Sequence, residues 1–413
     1  MPDDARSRAV RRNTVLLSVA QAAAQAGATV LLVVGSVAAA ELSGHASTAG
    51  VLSAIYFVAA AAGAVALGRA MDRFGRRPGL LVSYGLVVVA GVSSLLAVRS
   101  GSWIALLLAA VPFGFAFGGA NLARGAVADM YPSERRGRAV GILLAASTIG
   151  AAGGPPVVAA IQRWAERTGG DPLVAPWALV PAMGAIAIAS VLAVRPDPRA
   201  LAVAEVGVAS AASRPARTIV RMPVVTAAIA AAAVGQVAMV GVMSVTPIAL
   251  HDHGHGPALI SGTISLHVIG MFAFSPLIGA ALDRWGRRPG LLVGAVVSAV
   301  GAVTAGVTTS GAVVALGLWL VGLGWSATYL GSTAVISDAT SPAERAGTLG
   351  LTDLVISACS AIGAIGAGVV FEGAGFAVLG ASVAILVLAV VAGVVVRAPV
   401  PDRPRSLAPP PVP

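Results

Sequence analysis

Twelve apolar stretches, each long enough to cross a lipid bilayer as a helix, constrain this 413-residue chain more than any other feature. A bilayer core of about 30 Å is crossed by about 20 residues of helix. The stretches run over 15–40, 48–68, 79–98, 103–128, 137–159 and 174–194, then 223–249, 258–280, 290–309, 312–335, 346–370 and 375–396. A transmembrane barrel would show alternating segments of about 10 residues instead. At 57% hydrophobic and 11% charged residues, the chain carries too much apolar surface for the core of a water-soluble domain. The expectation is an all-α integral membrane protein of twelve transmembrane helices.

The arginines predict its orientation. All 27 basic residues are arginine, a usage that with the abundant Ala, Gly and Val points to GC-rich bacterial coding. Basic residues collect on the cytoplasmic side of membrane proteins. With the N-terminus inside, 23 arginines fall in inside segments, only Arg99, Arg163 and Arg167 fall outside, and Arg124 lies within a span. This places both termini in the cytoplasm, in a bacterial cytoplasmic membrane, and accounts for the net charge of +10 without a nucleic-acid partner. Arg6, Arg8, Arg11 and Arg12 precede the first apolar run as in a signal peptide, but that run is too long for one and reads as a retained span. Residues 195–222, rich in Pro and Arg, read as a cytoplasmic linker between an N-terminal bundle (1–194) and a C-terminal bundle (223–397), and the Pro-rich 398–413 as a disordered tail. The single cysteine, Cys359, supports no disulfide framework.

The chain also repeats itself. GRAMDRFGRRPGLLV at 68–82 and GAALDRWGRRPGLLV at 279–293 agree at 12 of 15 positions, and YPSERRGRAVG at 131–141 is echoed by TSPAERAGTLG at 340–350. Six spans per half with the same landmarks imply two pseudo-symmetric six-helix bundles related by an axis along the membrane normal. With these motifs in these loops, the chain resembles the major facilitator superfamily of secondary transporters over nearly its whole length. Gly68, Asp72, Arg73, Gly75, Arg76 and Arg77 match the family's signature after span 2, and Gly279, Asp283, Arg284, Gly286, Arg287 and Arg288 match its second copy. The resemblance implies a conformational latch: Asp72 facing the start of span 11 near Gly347 and Thr348, and Asp283 facing span 5 near Gly137 and Arg138. The dipole at a helix start favours such carboxylates. Arg76 is expected to pair with Asp129, and Arg287 with Asp338.

Span 5 carries Gly141, Gly150, Gly154 and Pro155, a spacing similar to that of proton-coupled drug exporters in this superfamily, although Val158 stands where a final glycine is expected. Ordinary close packing of helices explains small residues equally well. Ionisable groups inside hydrocarbon are costly, which makes Asp353, Arg124 and His267 the coupling candidates, with a structural ion pair or a hydrogen-bonded histidine as the alternative. Gln21, Gln25, Asn121, Gln236, Ser244 and Thr246 are candidates to line a substrate cavity. HDHGHG at 251–256 holds His251, Asp252, His253 and His255, and reads as a solvated loop in preference to a metal site. No lysine exists to complete a phosphate-binding loop and no nucleophile elbow occurs, so an enzyme is not expected. The expected function is proton-coupled efflux of a small amphiphilic or weakly polar solute by a monomer in the lipid bilayer, without cofactor or metal. An importer of a small metabolite, or a non-transporting receptor or scaffold, is the alternative.

Overall fold

Residues 3–45, 47–202, 214–255 and 257–397 are described by a computed structural model; the tail expected at 398–413 lies outside them. Every regular element among the described residues is helical, as hydrocarbon demands of any open segment whose backbone groups must be satisfied internally. α1 (Asp3–Val30) passes through a π-helical turn (Leu31–Gly35) into α2 (Ser36–Ser43), and together they cover the first expected span. α3 (Ser47–Phe74), α4 (Arg76–Arg99), α5 (Trp103–Asn121), α6 (Ala123–Met130), α7 (Ser133–Arg167) and α8 (Leu179–Leu192) follow. After the short α9 (Ala216–Ile219) come α10 (Pro223–Asp252), α11 (Pro257–Phe272), α12 (Ser275–Trp285), α13 (Arg287–Gly306), α14 (Gly311–Ala339) and α15 (Arg345–Arg397).

Ten helical segments among the described residues are long and apolar enough to cross a membrane. One of them, Arg345–Val394, contains both of the last two expected spans, separated where Gly375 takes φ 81°. A positive φ is costless only for glycine, so the sequence marks that break.

The helices fall into two compact units. The first comprises Met1–Met130, Ala146–Ala202 and Leu349–Leu354, the second Tyr131–Ala145, Val203–Thr348 and Val355–Pro413. In the first, α3 packs on α5, and α4 on α5 and α8. In the second, α14 is the central helix, against α10, α11 and α13. Both use glycine to bring backbones together. A Cβ added to Gly118 would stand 2.0 Å from the carbonyl oxygen of Ala60, and one added to Gly317 2.5 Å from the nitrogen of Ala305. In hydrocarbon, helix association rests on such close van der Waals contact. The outer surface is apolar: Val58, Leu277 and Ile385 are each more than two-thirds exposed.

The ends of the expected linker are packed. Pro198 and Leu201 of a 3-10 turn (Pro198–Leu201) are buried in the first unit. In the second, Arg214 Nη2 stands 2.9 Å from Glu344 Oε2, and the Arg214 backbone amide donates to Glu344 Oε1 at 2.8 Å.

Gly118→Val is expected to destabilise the purified protein by about 1–3 kcal/mol through overpacking against α3. Gly85→Val, where a Cβ would meet nothing within 4 Å, is expected to leave the thermal midpoint in detergent unchanged. Equal midpoints for both variants would contradict the packing described.

Candidate functional site

Each repeated loop builds a charge network. Gly75 (φ 104°) and Gly286 (φ 103°) turn the chain sharply between helices, a conformation other residues rarely adopt. The arginine that follows therefore starts a new helix one turn beyond an aspartate. Arg76, wholly buried, donates from Nη1 to Asp72 Oδ1 at 2.8 Å and from Nε to Asp129 Oδ2 at 2.7 Å. In the second copy Arg287 donates from Nη1 to Asp283 Oδ1 at 2.6 Å and from Nε to Asp338 Oδ2 at 3.3 Å. The Asp283 carboxylate also accepts the backbone N–H of Gly137 at 3.0 Å and of Arg138 at 2.8 Å, at the N-terminal end of α7. The Ser133 carbonyl there accepts from Arg287 Nη2.

Two members of these networks escaped the reading of the sequence. Asp338 takes a second guanidinium, that of Arg136, whose counterpart in the repeat is Ala346. That mismatch was the available signal. Asp197 accepts the backbone N–H groups of Arg76 (3.3 Å), Arg77 (2.8 Å) and Arg199 (2.8 Å), and Arg199 donates to the backbone carbonyl of Asp72. An aspartate directly before proline is a helix-cap signal, but the surrounding composition read as a linker.

Within the first unit the structure brings Arg124 of α6 and Asp353 of α15 together, Nη2 to Oδ1 at 2.6 Å. Arg124 also donates from Nη1 to the carbonyl of Asn121 at 3.1 Å. Both side chains are largely buried, 2% and 15% exposed. Among the described residues no donor reaches Asp353 Oδ2, so one oxygen of this carboxylate remains able to accept.

A polar seam lies between α1 and α7. A Cβ on Gly150 would stand 2.1 Å from the Ala22 carbonyl, and one on Gly154 2.7 Å from Thr29 Oγ1. Along this seam Ser18 Oγ, Gln21 Oε1, Gln25 Oε1, Ser147 Oγ and Thr148 Oγ1 are buried with no hydrogen-bond partner among the described residues. A buried polar atom without a partner costs about 1–3 kcal/mol, so five in one seam need a reason. Gly141 belongs elsewhere: its Cβ would meet the Ser275 carbonyl at 2.2 Å. α7 continues through Pro155 and Pro156 without interruption.

In the second unit Gln236 Oε1 accepts from Trp325 Nε1 at 2.6 Å. Trp325 stacks on Tyr329 (4.9 Å, 13°) and meets the edge of Phe272 at 5.7 Å. Ser244 and Thr246 donate to carbonyls of their own helix. His267 is buried, with Nδ1 2.7 Å from the Leu318 carbonyl. A carbonyl only accepts, so Nδ1 carries the proton, and this histidine ties α11 to α14. Of the external histidines, His255 Nε2 lies 2.8 Å from the Thr309 carbonyl, and the His251 side chain falls outside the described residues. Among the described residues no three of His, Cys, Asp and Glu converge as a metal-ligand set.

A family model, the Major Facilitator Superfamily, matches residues 17–265 and 237–412. The chain belongs to this superfamily. It is 29% identical to the MFS-type transporter YddS of Bacillus subtilis over 92% of its own length and 89% of that protein. It is 26% identical to the riboflavin transporter RfnT of Brucella anthropi, over 89% of this chain and 91% of the relative. Among solved structures it resembles the human organic anion transporter MFSD10 (TM-score 0.74, 16% identity, 94% of this chain and 99% of that one). It also resembles the proton:xylose symporter XylE (TM-score 0.72, 16% identity, 93% and 95%). The protein is thus a multi-pass membrane transporter of the two-domain, twelve-helix fold and not an enzyme.

Two outcomes follow from these networks. Asp129→Asn removes one charged partner of the buried Arg76 and is expected to lower stability by about 3 kcal/mol; Arg135→Ala, at an exposed position, is expected to change the melting curve by less than about 0.5 kcal/mol. The second concerns pH. Burial raises the Glu344 carboxyl, but hydrogen bonds from Arg214 and Ser341 outweigh it and hold the group down at about 2. A depressed carboxylate stabilises the fold fully above its unfolded value of about 4.3 and loses that contribution as pH falls toward the folded one. Hydrogen exchange at the Arg214 amide, corrected for intrinsic rates, should stay protected at pH 7 and lose protection between pH 4 and 2. Glu344→Gln should lose it at pH 7. Protection indifferent to both changes would exclude the clasp.

Proposed function

We propose that this transporter is a proton-coupled exporter of small, amphiphilic or weakly polar solutes in a bacterial cytoplasmic membrane, with both termini inside. The observation that carries the reading is the Arg124–Asp353 pair. In this pair a carboxylate offsets the desolvation of a buried guanidinium. Adding a proton removes the attraction that offsets the desolvation of Arg124, so the pair responds to protonation by loosening. A transporter needs such a bistable element to couple a proton to a conformational step. His267 keeps Nδ1 on the Leu318 carbonyl and Nε2 buried without a partner among the described residues; Asp353 is preferred because it faces a charged group whose attraction a proton removes.

The repeated networks act as the latch of one conformational state. We assign Asp72, Arg76 and Asp129 to the first copy and Asp283, Arg287 and Asp338 to the second, with Arg73, Arg77, Arg284 and Arg288 flanking them and Gly68, Gly75, Gly279 and Gly286 permitting the close turns. The polar seam of Gln21 and Gln25 supplies the substrate contacts, with Asn121 of the same unit as further lining. Its unpartnered amide oxygens call for a solute that donates hydrogen bonds. The export direction rests on the Gly141, Gly150, Gly154 and Pro155 pattern. A second reading is import of a small metabolite, with the riboflavin transporter RfnT as a relative whose cargo is a metabolite.

Proteoliposomes with an imposed pH gradient test the proposal. Expected is solute movement against its own gradient, outward in the cellular sense, with Asp353→Asn losing proton-driven accumulation and His267→Gln keeping it. Inward accumulation favours the second reading. Full coupling in both variants, or binding without flux, rejects the mechanism.

A further inference from the structure

A cavity of about 680 Å³ opens at the ends of α3, α4 and α8, within the first unit. Its lining includes Arg73, Arg77, Arg195 and Arg199, with one acid, Asp197. That acid accepts three backbone N–H groups, and its single negative charge leaves the four guanidiniums of the lining in excess. Arg77 and Arg199 are oriented by backbone carbonyls, those of Val191 (3.3 Å), Leu192 (2.9 Å) and Asp72. A neutral acceptor fixes a guanidinium without discharging it. Arg73 and Arg195 are exposed, and no carboxylate among the described residues pairs with either. Arg12 of α1 donates to the Arg195 carbonyl and brings a fifth cation to the rim.

An assembly of oriented, undischarged guanidiniums is a site for a phosphate or carboxylate. The surroundings choose between sources. Phe74, 65% exposed, stands beside the cavity with the Arg73 guanidinium 5.1 Å from its ring centre, and Pro78 and Val194 line the wall. A freely soluble anion gains nothing from an exposed aromatic ring at the end of a membrane span. An amphiphile whose charge sits in the headgroup layer gains from both. We propose that this cavity binds the phosphodiester headgroup of an anionic phospholipid, with Arg73 and Arg195 as its principal contacts. The site adjoins Asp72 and the start of α4, so an occupied cavity would hold the loop that carries the first charge network.

The test titrates the purified, delipidated full chain in mixed micelles with phosphatidylglycerol, cardiolipin or phosphatidylethanolamine, and reads bound lipid by native mass spectrometry. Expected is retention of the anionic lipids at least about tenfold over phosphatidylethanolamine, given the contribution of each basic residue near a charged headgroup. Arg73→Gln combined with Arg195→Gln should abolish that preference, and Arg217→Gln, an exposed arginine elsewhere, should preserve it. Excess inorganic phosphate should leave the lipid bound. Equal retention of all three lipids, or an undiminished preference in the double variant, overturns the proposal, as does displacement by phosphate, which would mark a site for free anions. If the double variant does not fold, the wild-type preference and its loss at high salt decide the matter alone.

Discussion

The structure depends on the pairing of buried guanidiniums. Arg76, Arg124, Arg136, Arg287 and Arg345 are almost wholly shielded from solvent, and a charge so placed costs several kcal/mol unless it is met. Each is met. Arg76 has Asp72 and Asp129, Arg124 has Asp353, and Arg136 and Arg287 share Asp338. Arg345 donates to the carbonyls of Ser337 and Thr340. Arginine suits these positions because its fork of donors satisfies two or three acceptors from different helices at once.

Such pairs fix which helix ends meet. The first network draws the end of α3, the start of α4 and α6 together through one guanidinium; the second does the same for α12, α13 and α14 and adds the start of α7 through Asp283 and Ser133. Asp338 serves two arginines, Arg287 and the Arg136 that stands where the repeat has Ala346. Glycine contacts fix helix distances, as between Gly118 and Ala60, while ion pairs fix register. Close packing and charge pairing are thus carried by different residues.

Much of this was legible in the sequence, for physical reasons. Hydrocarbon imposes a length and a composition on each span, and the repeated Gly-Asp-Arg pattern reports the turns and charges of both loops. Asp353 and Arg124 stood out because a charge amid apolar residues has few explanations. What was not legible came from long-range contact. Residues 195–222 read as a linker by composition, yet Asp197 and Arg214 find partners more than 100 positions away. The stack of Trp325 on Tyr329 and its hydrogen bond to Gln236 depend on how α10 and α14 approach, which periodicity does not encode. The span count needed correction only in form, since α15 carries two spans and the first is split by a π-helical turn.

The most direct test is a double-mutant cycle on the intramembrane pair, with thermal unfolding in a native-like bilayer as the readout. Arg124→Gln and Asp353→Asn each leave one buried charge unmet, so the account predicts that each alone destabilises strongly and that the double variant is no worse than the poorer single one. Strictly additive losses would mean that the two side chains do not hold one another, and buried charge pairing would fail as the principle of this structure.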